Sequence, residues 1–152
     1  MAIERTLVLL KPDAIQRGVC GEIITRLERS GLKVAGMKMI KMNEELAKRH
    51  YRDHVAKPFF PGLLKFITSG PLIALVVEGR EAVETVRKLM GSTDPVKAAP
   101  GTIRADLAQD INRNLVHGSA DPFEANREIN IYFTSQEVFA WKRANEEWVI
   151  ES

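Results

Sequence analysis

The chain has 152 residues, with 22 Lys and Arg against 20 Asp and Glu, so its formal net charge is only +2. This length predicts one domain over residues 1–152 with its own core, and the small net charge argues against a protein dedicated to nucleic acids or membrane surfaces. The single cysteine, Cys20, excludes an internal disulfide, and the N-terminal apolar run is too short for a signal peptide, so we expect a cytoplasmic protein.

The first part of the chain contains signals for two strands with a helix between them. Residues 6–10 form a continuous apolar run, which predicts a strand buried on both faces, and Lys11 follows at its carboxyl end. A helix with one apolar face is predicted next and ends at Gly31. Residues 32–42 then alternate apolar residues with lysine and change phase near Gly36, which predicts a second strand with a bulge or bend.

Asn43 is predicted to cap the next helix, which runs from residue 44 to about residue 55. His50 and His54 lie one turn apart on this helix, and that spacing can bind a metal ion. No third ligand is apparent in the sequence, and both histidines lie near the apolar face. Packing at the edge of the core is therefore the favoured interpretation.

The middle of the chain adds a helix, a strand and another helix. Residues 58–62 hold two adjacent phenylalanines, which are either core residues or, where exposed, a stacking platform for a base. A helix over residues 63–67 is followed by a third buried strand over residues 72–77. The next helix covers residues 80–90, and Arg87 lies at the boundary of its apolar face, from where a guanidinium could reach a cleft.

Residues 91–104 are the longest stretch without clear periodicity, and loops of this length are commonly functional or disordered. Farther on, His117 lies beside Gly118, which would let another molecule approach the backbone. Asp121 is predicted to cap a helix that has Pro122 in its first position. His117 would then lie just before a helix N-terminus, which favours anions, although a solvated histidine in a polar loop is the alternative.

This helix is predicted to end near residue 128, and a fourth strand is predicted over residues 129–133. Thr134 begins a capping box for a last amphipathic helix, and the apolar tail at residues 148–150 is expected to pack on the domain or on another subunit. The element order predicts an α/β sandwich of the ferredoxin-like split βαβ type. It would have a four-stranded antiparallel sheet, helices packed on it and an extra helical pair.

Common nucleotide fingerprints are absent, because no P-loop and no GxGxxG occur, and neither a GxSxG elbow nor a convincing cysteine–histidine pair is present. What remains is a set of cations, Lys11, Arg87 and Arg104, in segments that could converge on His117. Such a set suits a polyphosphate, whose magnesium ion usually arrives with the nucleotide.

The ordered motifs of the chain resemble those of the nucleoside diphosphate kinases along essentially its whole length. They are Arg5-Thr6-Leu7 to Lys11-Pro12-Asp13, Gln16-Arg17-Gly18, His50-Tyr51, Pro58-Phe59-Phe60, Ser69-Gly70-Pro71, Pro100-Gly101-Thr102-Ile103-Arg104 and Arg113 to Ser119.

The resemblance implies ping-pong transfer of a γ-phosphate from a nucleoside triphosphate to a nucleoside diphosphate through a phosphohistidine. His117 would attack with Nδ1, while Glu128 holds the other ring nitrogen and Ser119 bonds Glu128. The residues that match the family's remaining catalytic and nucleotide contacts are Lys11, Tyr51, Phe59 (base stacking), Arg87, Thr93, Arg104 and Asn114.

The resemblance also implies Mg²⁺ carried by the nucleotide phosphates, with no metal site on the protein. Family members form hexamers or tetramers, and Pro95 matches the loop at the hexamer's three-fold axis, so a homohexamer is favoured. No membrane partner and no dedicated nucleic-acid site are predicted.

One position departs from the family pattern. The chain has Ala120 where the pattern usually continues with aspartate, and a carboxylate follows one place later as Asp121. Two alternatives to a kinase stay open. One is a binding module on the same sandwich, such as a nucleotide-sensing or regulatory subunit, and the other is a structural protein that keeps the assembly but has lost turnover through the change at Ala120.

Overall fold

The computed structural model describes residues 3–151, and its centre is one antiparallel sheet. The strands are β1 (Ile3–Leu10), β2 (Lys33–Lys41), β3 (Pro71–Arg80) and β4 (Val116–Gly118). Their order in the sheet is β2-β3-β1-β4, so the first strand lies between two others. Residues 7–10 are fully buried because both faces of the sheet are covered, which confirms the prediction from their apolar run.

Helices cover both faces of this sheet. Within residues 3–151 they are α1 (Pro12–Gln16), α2 (Cys20–Arg29), α3 (Glu44–His50), α4 (Phe60–Ile67), α5 (Ala82–Met90), α6 (Ile103–Leu107) and α7 (Pro122–Tyr132). Successive side chains of a strand point to opposite faces. Accordingly, Val8 and Leu10 pack with residues of α2 and α5, whereas Leu7 and Leu9 pack with residues of α3, α4 and α7. The predicted sandwich is confirmed, and α3 and α4 are its extra helical pair.

The predicted irregularity in β2 is also confirmed, because the pairing of β2 with β3 shifts register between Val34 and Gly36. Glycine is required at position 36 by a close approach of the chain's last segments. A Cβ there would lie 3.0 Å from the carbonyl oxygen of Glu137 and 3.3 Å from the ring of Phe133.

The predicted strand over residues 129–133 is wrong, because residues 129–132 form the last turn of α7 and Phe133 is its C-cap. Their β-branched and aromatic side chains favour a strand locally. The helix nevertheless continues through them, since Tyr132 is buried against the sheet at helical spacing from Ala125 and Glu128. The actual fourth strand is β4, and it carries His117, which was expected in a loop.

Two predicted helices are shorter in the structure than expected. The helix predicted to reach residue 55 ends at His50 and continues as a 3₁₀ turn over Arg52–His54. The last predicted helix is only a 3₁₀ turn, although its capping box at Thr134 is present. The chain after it runs beside β2, and the amide of Phe139 donates to the carbonyl of Ala35 at 2.9 Å.

The C-terminal tail packs only in part. A Cβ on Gly31 would lie 2.9 Å from Cγ1 of Val149, so this valine covers Gly31, whereas Trp148 is 85% exposed.

Two short helices, α1 and α6, were not predicted. None of the helices described within residues 3–151 has both the length and the apolar character needed to cross a bilayer.

Candidate active site

A cleft of about 790 Å³ lies over the end of the sheet that carries β4. Its walls come from α5, from the segment that follows α3, from the loop after Gly91 and from the first half of α7. His117 and Gly118 of β4 line it as well. A volume of this size is typical of a small-molecule site.

His117 is oriented by a carboxylate on the neighbouring helix. Its Nε2 lies 2.8 Å from Oε1 of Glu128, and the hydroxyl of Ser119 donates to the same oxygen at 2.7 Å. An ionised carboxylate can only accept hydrogen bonds, so Nε2 carries the ring proton. Nδ1 is then the nitrogen with a free lone pair.

Glu128 is ionised although it is buried. Burial alone would raise its pKa, but the hydrogen bond from His117, the positive charge of His117 when protonated and the hydrogen bond from Ser119 lower the pKa to about 2. His50 packs edge-on against His117 with 4.7 Å between ring centroids, and its Nδ1 lies 2.9 Å from the hydroxyl of Tyr132. Burial lowers the pKa of His50 to about 3, so this second imidazole is neutral.

Arg104 and Arg87 bring positive charge to the cleft. The Arg104 guanidinium is buried and donates to the carbonyls of Asn114, Gly91 and Val116, at 3.3, 3.0 and 2.7 Å. Burial and the nearby Arg87 lower the pKa of Arg104 to about 10. Two guanidiniums that repel each other in one cleft would be stabilised by a bound anion.

Lys11, Asn114 and Thr93 are joined in a chain of hydrogen bonds. The Lys11 ammonium donates to the side-chain oxygen of Asn114, whose amide nitrogen donates to the carbonyl of Thr93 at 3.0 Å. Thr93 lines the cleft, and Lys11 and Asn114 lie behind it. Burial and the positive charge of Arg104 lower the pKa of Lys11 to about 8, although the negative charge of Asp13 raises it.

The two predicted aromatic contacts differ in position. Tyr51 lines the cleft next to His50, and burial raises the pKa of its hydroxyl. Phe59 is 54% exposed and lies 5.5 Å from the ring of His54, which lines the cleft. The neighbouring Phe60 is buried, so one phenylalanine of the pair is a core residue and the other is available for stacking.

Gly118 and Asp121, which follow His117, have structural roles. A Cβ on Gly118 would lie 2.9 Å from Cγ1 of Val86, so glycine is needed for the packing of α5 and not only for the approach of a ligand. Asp121 caps α7 by accepting from the amide of Glu124 at 2.8 Å, as predicted. Its carboxylate therefore does not replace the missing aspartate, and Ala120 lines the cleft.

Sequence reasoning missed several residues of the cleft. His50 was interpreted as packing at the core's edge, and a metal site formed by His50 and His54 was not favoured. Within residues 3–151, the one cluster suited to a metal is instead His50, His117 and Glu128. Glu124 and Arg127 also line the cleft. Glu124 and Glu128 are four residues apart in a helix that was predicted to end near residue 128, so their shared face could have been recognised from the sequence.

A family model described as nucleoside diphosphate kinase matches residues 4–138, which is most of the chain. The chain belongs to the nucleoside diphosphate kinase family. It is 51% identical to the nucleoside diphosphate kinase of Archaeoglobus fulgidus, over 98% of this chain and 99% of the relative. It is 50% identical to that of Desulforamulus reducens, over 98% of this chain and the whole relative.

Solved nucleoside diphosphate kinase structures share the fold closely. A halophilic nucleoside diphosphate kinase from Halobacterium salinarum, solved in complex with CDP, gives a TM-score of 0.95 at 51% identity and covers 99% of this chain and all of that one. A nucleoside diphosphate kinase family protein from Babesia bovis gives 0.94 at 40% identity, over 97% of this chain and 99% of that one. As a member of the nucleoside diphosphate kinase family, the chain is a nucleotide-binding phosphotransferase.

Proposed function

We propose that the chain transfers the γ-phosphate of ATP to nucleoside diphosphates by a ping-pong reaction through a phosphohistidine on His117. One observation carries this proposal: His117 Nε2 is bound to the Glu128 carboxylate at 2.8 Å, which leaves Nδ1 as the nucleophilic nitrogen of a cation-lined cleft. The CDP bound to the Halobacterium salinarum relative supports a nucleotide ligand.

In the proposed first half-reaction, the Nδ1 lone pair forms a bond to the γ-phosphorus while the bond from that phosphorus to the bridging oxygen breaks. The nucleoside diphosphate leaves with the electron pair of the broken bond. The ring becomes positively charged as Nδ1 reacts, and the adjacent Glu128 carboxylate stabilises that charge because it already accepts from Nε2. The second half-reaction reverses these steps with another nucleoside diphosphate as acceptor.

The cations of the site would position the phosphates and offset their charge. Arg87 and Arg104 raise the positive potential beside His117, and Lys11 adds a third cation behind Asn114. We assign the remaining predicted contacts to binding: Tyr51, Thr93 and Asn114 with the phosphates and ribose, and Phe59 with the base. Stacking on an exposed phenylalanine tolerates different bases because each base has a π-face.

The family's kinases need a divalent metal, and we propose that Mg²⁺ enters on the nucleotide. Mg²⁺ prefers oxygen ligands, whereas the metal-type cluster of the cleft offers two imidazoles and one carboxylate. This cluster therefore suits Mg²⁺ poorly, which supports a magnesium ion that arrives with the nucleotide. When bound to the phosphates, the ion neutralises part of their charge.

We further propose that the chain forms a homo-oligomer, with a hexamer favoured over a tetramer. Support comes from exposed apolar side chains that a monomer leaves in water, among them Val96 beside Pro95, and Met37 and Met39 on the edge strand β2. The cytoplasmic location and the absence of a dedicated nucleic-acid site remain predictions.

The proposal is tested by mixing the purified protein with γ-labelled ATP and Mg²⁺ and then adding GDP. We expect an acid-labile, alkali-stable label on the protein that moves to GDP. His117→Gln should abolish the label and leave ADP binding and the free energy of unfolding nearly unchanged, because the imidazole reacts but carries no part of the core. A labelled and transferring His117→Gln variant would refute the mechanism.

A regulatory or structural protein would give another result. Wild-type protein that binds ADP and assembles normally, yet never acquires label, would favour that alternative. Ala120→Asp, which restores the usual residue at the cleft, would then be the first variant to test for recovered labelling.

A further inference from the structure

The backbone just before His117 makes a tight turn with an unfavourable dihedral angle. The amide of Val116 donates to the carbonyl of Asn114 at 2.8 Å, which closes a three-residue γ-turn, and Leu115 at its centre has a φ of 74°. Positive φ at the centre of a γ-turn is rare for a residue with a branched side chain, and such strain persists only where neighbouring groups hold it.

Two groups from the start of α1 hold this turn from outside. The amide of Leu115 donates to Oδ2 of Asp13 at 3.0 Å, and the carbonyl of Leu115 accepts from the amide of Lys11 at 2.9 Å. Leu115 is fully buried in the core, and Asp13 is 8% exposed. Both backbone groups of the strained residue are therefore bonded to the segment that follows β1, and Asp13 supplies the only side chain in these two bonds.

The turn contains one residue assigned to the reaction and is followed by another. Asn114 is its first residue and bonds the Lys11 ammonium and the Thr93 carbonyl, while His117 lies just after it. Relaxation of Leu115 towards negative φ would rotate the adjacent peptides, and the side chains of both neighbours would move with them.

We propose that Asp13 is a positioning residue for phosphoryl transfer: its carboxylate fixes the γ-turn at Leu115 and thereby the places of His117 and Asn114. This inference rests on the proposed function of His117. Asp13 touches neither the cleft nor His117, so its effect passes through the backbone of the turn.

The test compares Asp13→Ala with Asp13→Asn. The alanine variant leaves the buried Leu115 amide without an acceptor, whereas the asparagine side chain can still accept from it through Oδ1. With γ-labelled ATP at saturation in a rapid-quench experiment, we expect the labelling rate constant to fall at least about tenfold in Asp13→Ala and less than about threefold in Asp13→Asn. The Kd for ADP should rise more in Asp13→Ala, where Asn114 moves, than in Asp13→Asn, and the ¹⁵N signals of His117 should shift only in the alanine variant.

The asparagine variant also separates this role from an effect of charge, because both substitutions remove the carboxylate that faces Lys11. Equal losses of rate in the two variants would assign the effect to charge and overturn the proposal. Asp110→Ala is the matched control: it removes a carboxylate that accepts from the amide of Asn112 at 2.7 Å in the segment leading to the turn, and should keep the wild-type rate.

Stability and function are read separately. Unfolding in urea identifies any variant that is not folded under assay conditions, and Asp13→Ser, whose hydroxyl is too short to keep the bond, replaces an unfolded alanine variant. If the wild-type protein is labelled and the rate constant is unchanged in Asp13→Ala or Asp13→Ser, the positioning role is refuted but the proposed function is not. Absence of label in the wild-type protein would refute the proposed function instead.

Discussion

His117 and His50 illustrate how environment gives two neighbouring imidazoles different chemistry. Their ring centroids are 4.7 Å apart. Nδ1 of His50 contacts the hydroxyl of Tyr132, whereas the His117 ring is held through its Nε2 by Glu128, which leaves its Nδ1 free of that bond. Burial keeps His50 neutral, so it adds no positive charge beside Glu128. The carboxylate is therefore left to orient a single imidazole, that of His117.

We expect Lys11 to make nucleotide affinity depend on pH. Its pKa of about 8 means that the free protein loses this positive charge in mildly alkaline solution, whereas a bound polyphosphate favours the protonated ammonium. Binding above pH 8 then takes up a proton, and linkage predicts that the Kd for ADP rises about tenfold between pH 7 and pH 9.

Titration calorimetry with ADP in buffers of different ionisation enthalpy measures both the Kd and the proton uptake. Lys11→Arg is the matched control, since a guanidinium stays charged over this range. Its Kd should be nearly independent of pH, whatever its absolute value. An equal rise in Kd for the arginine variant would contradict the assignment to Lys11.

At the scale of elements, long apolar patterns were the features from which structure could be predicted. The buried runs of β1 and β3, the phase change in β2 and the one-sided α2 and α5 all depend on burial that repeats over several residues. The short β4 has no such repeat, because three residues with a histidine in the middle do not show a period. The end of α7 was mistaken for a strand because its side chains favour a strand locally. Its packing against the sheet outweighs that preference and keeps it helical.

The cap of α7 connects stability to the site, because this helix carries Glu128 seven residues after Asp121. We expect Asp121→Ala to lower the free energy of unfolding by about 1 kcal/mol, since the amide of Glu124 loses its acceptor. Asp121→Ser should recover most of this loss because serine also caps helices.

Urea unfolding followed by circular dichroism measures these differences. Equal stability of Asp121→Ala and the wild type would show that the cap contributes nothing. A large fall in activity at unchanged stability would instead place the Asp121 carboxylate in the reaction, contrary to its position as a cap.

At the scale of the whole molecule, the candidate site joins segments from most of the chain. The cations and His117 were found from residue type and position, because charge beside a strand end or a helix boundary is visible in a sequence. Thr93 and Glu128 were known only through the family resemblance, since neither a lone threonine nor a glutamate on a helix marks a site by itself. The single domain over residues 1–152 stays a prediction.

Self-association is the prediction that belongs to the molecule as a whole. Val96 is 82% exposed beside Pro95, and a charge there would be buried in the proposed interface at a large cost. We expect Val96→Asp to reduce the mass of the wild-type oligomer in light scattering after gel filtration. Lys65→Gln, which changes the net charge equally on the exposed face of α4, should keep that mass.

A wild-type protein with the mass of one chain would contradict the proposed assembly. A Val96→Asp variant that keeps the full oligomer would place the interface elsewhere on the surface. A mass of four chains would select the tetramer over the hexamer.

The central position of β1 also governs how the molecule is made. This strand is synthesised before its neighbours β3 and β4, which begin only at residues 71 and 116. At ~5–20 residues per second, the apolar strand waits roughly 3–12 s before its first partner is synthesised. The nascent chain thus carries an uncovered β-forming segment until β3 has been added, and Glu128, which orients His117, is added only after β4.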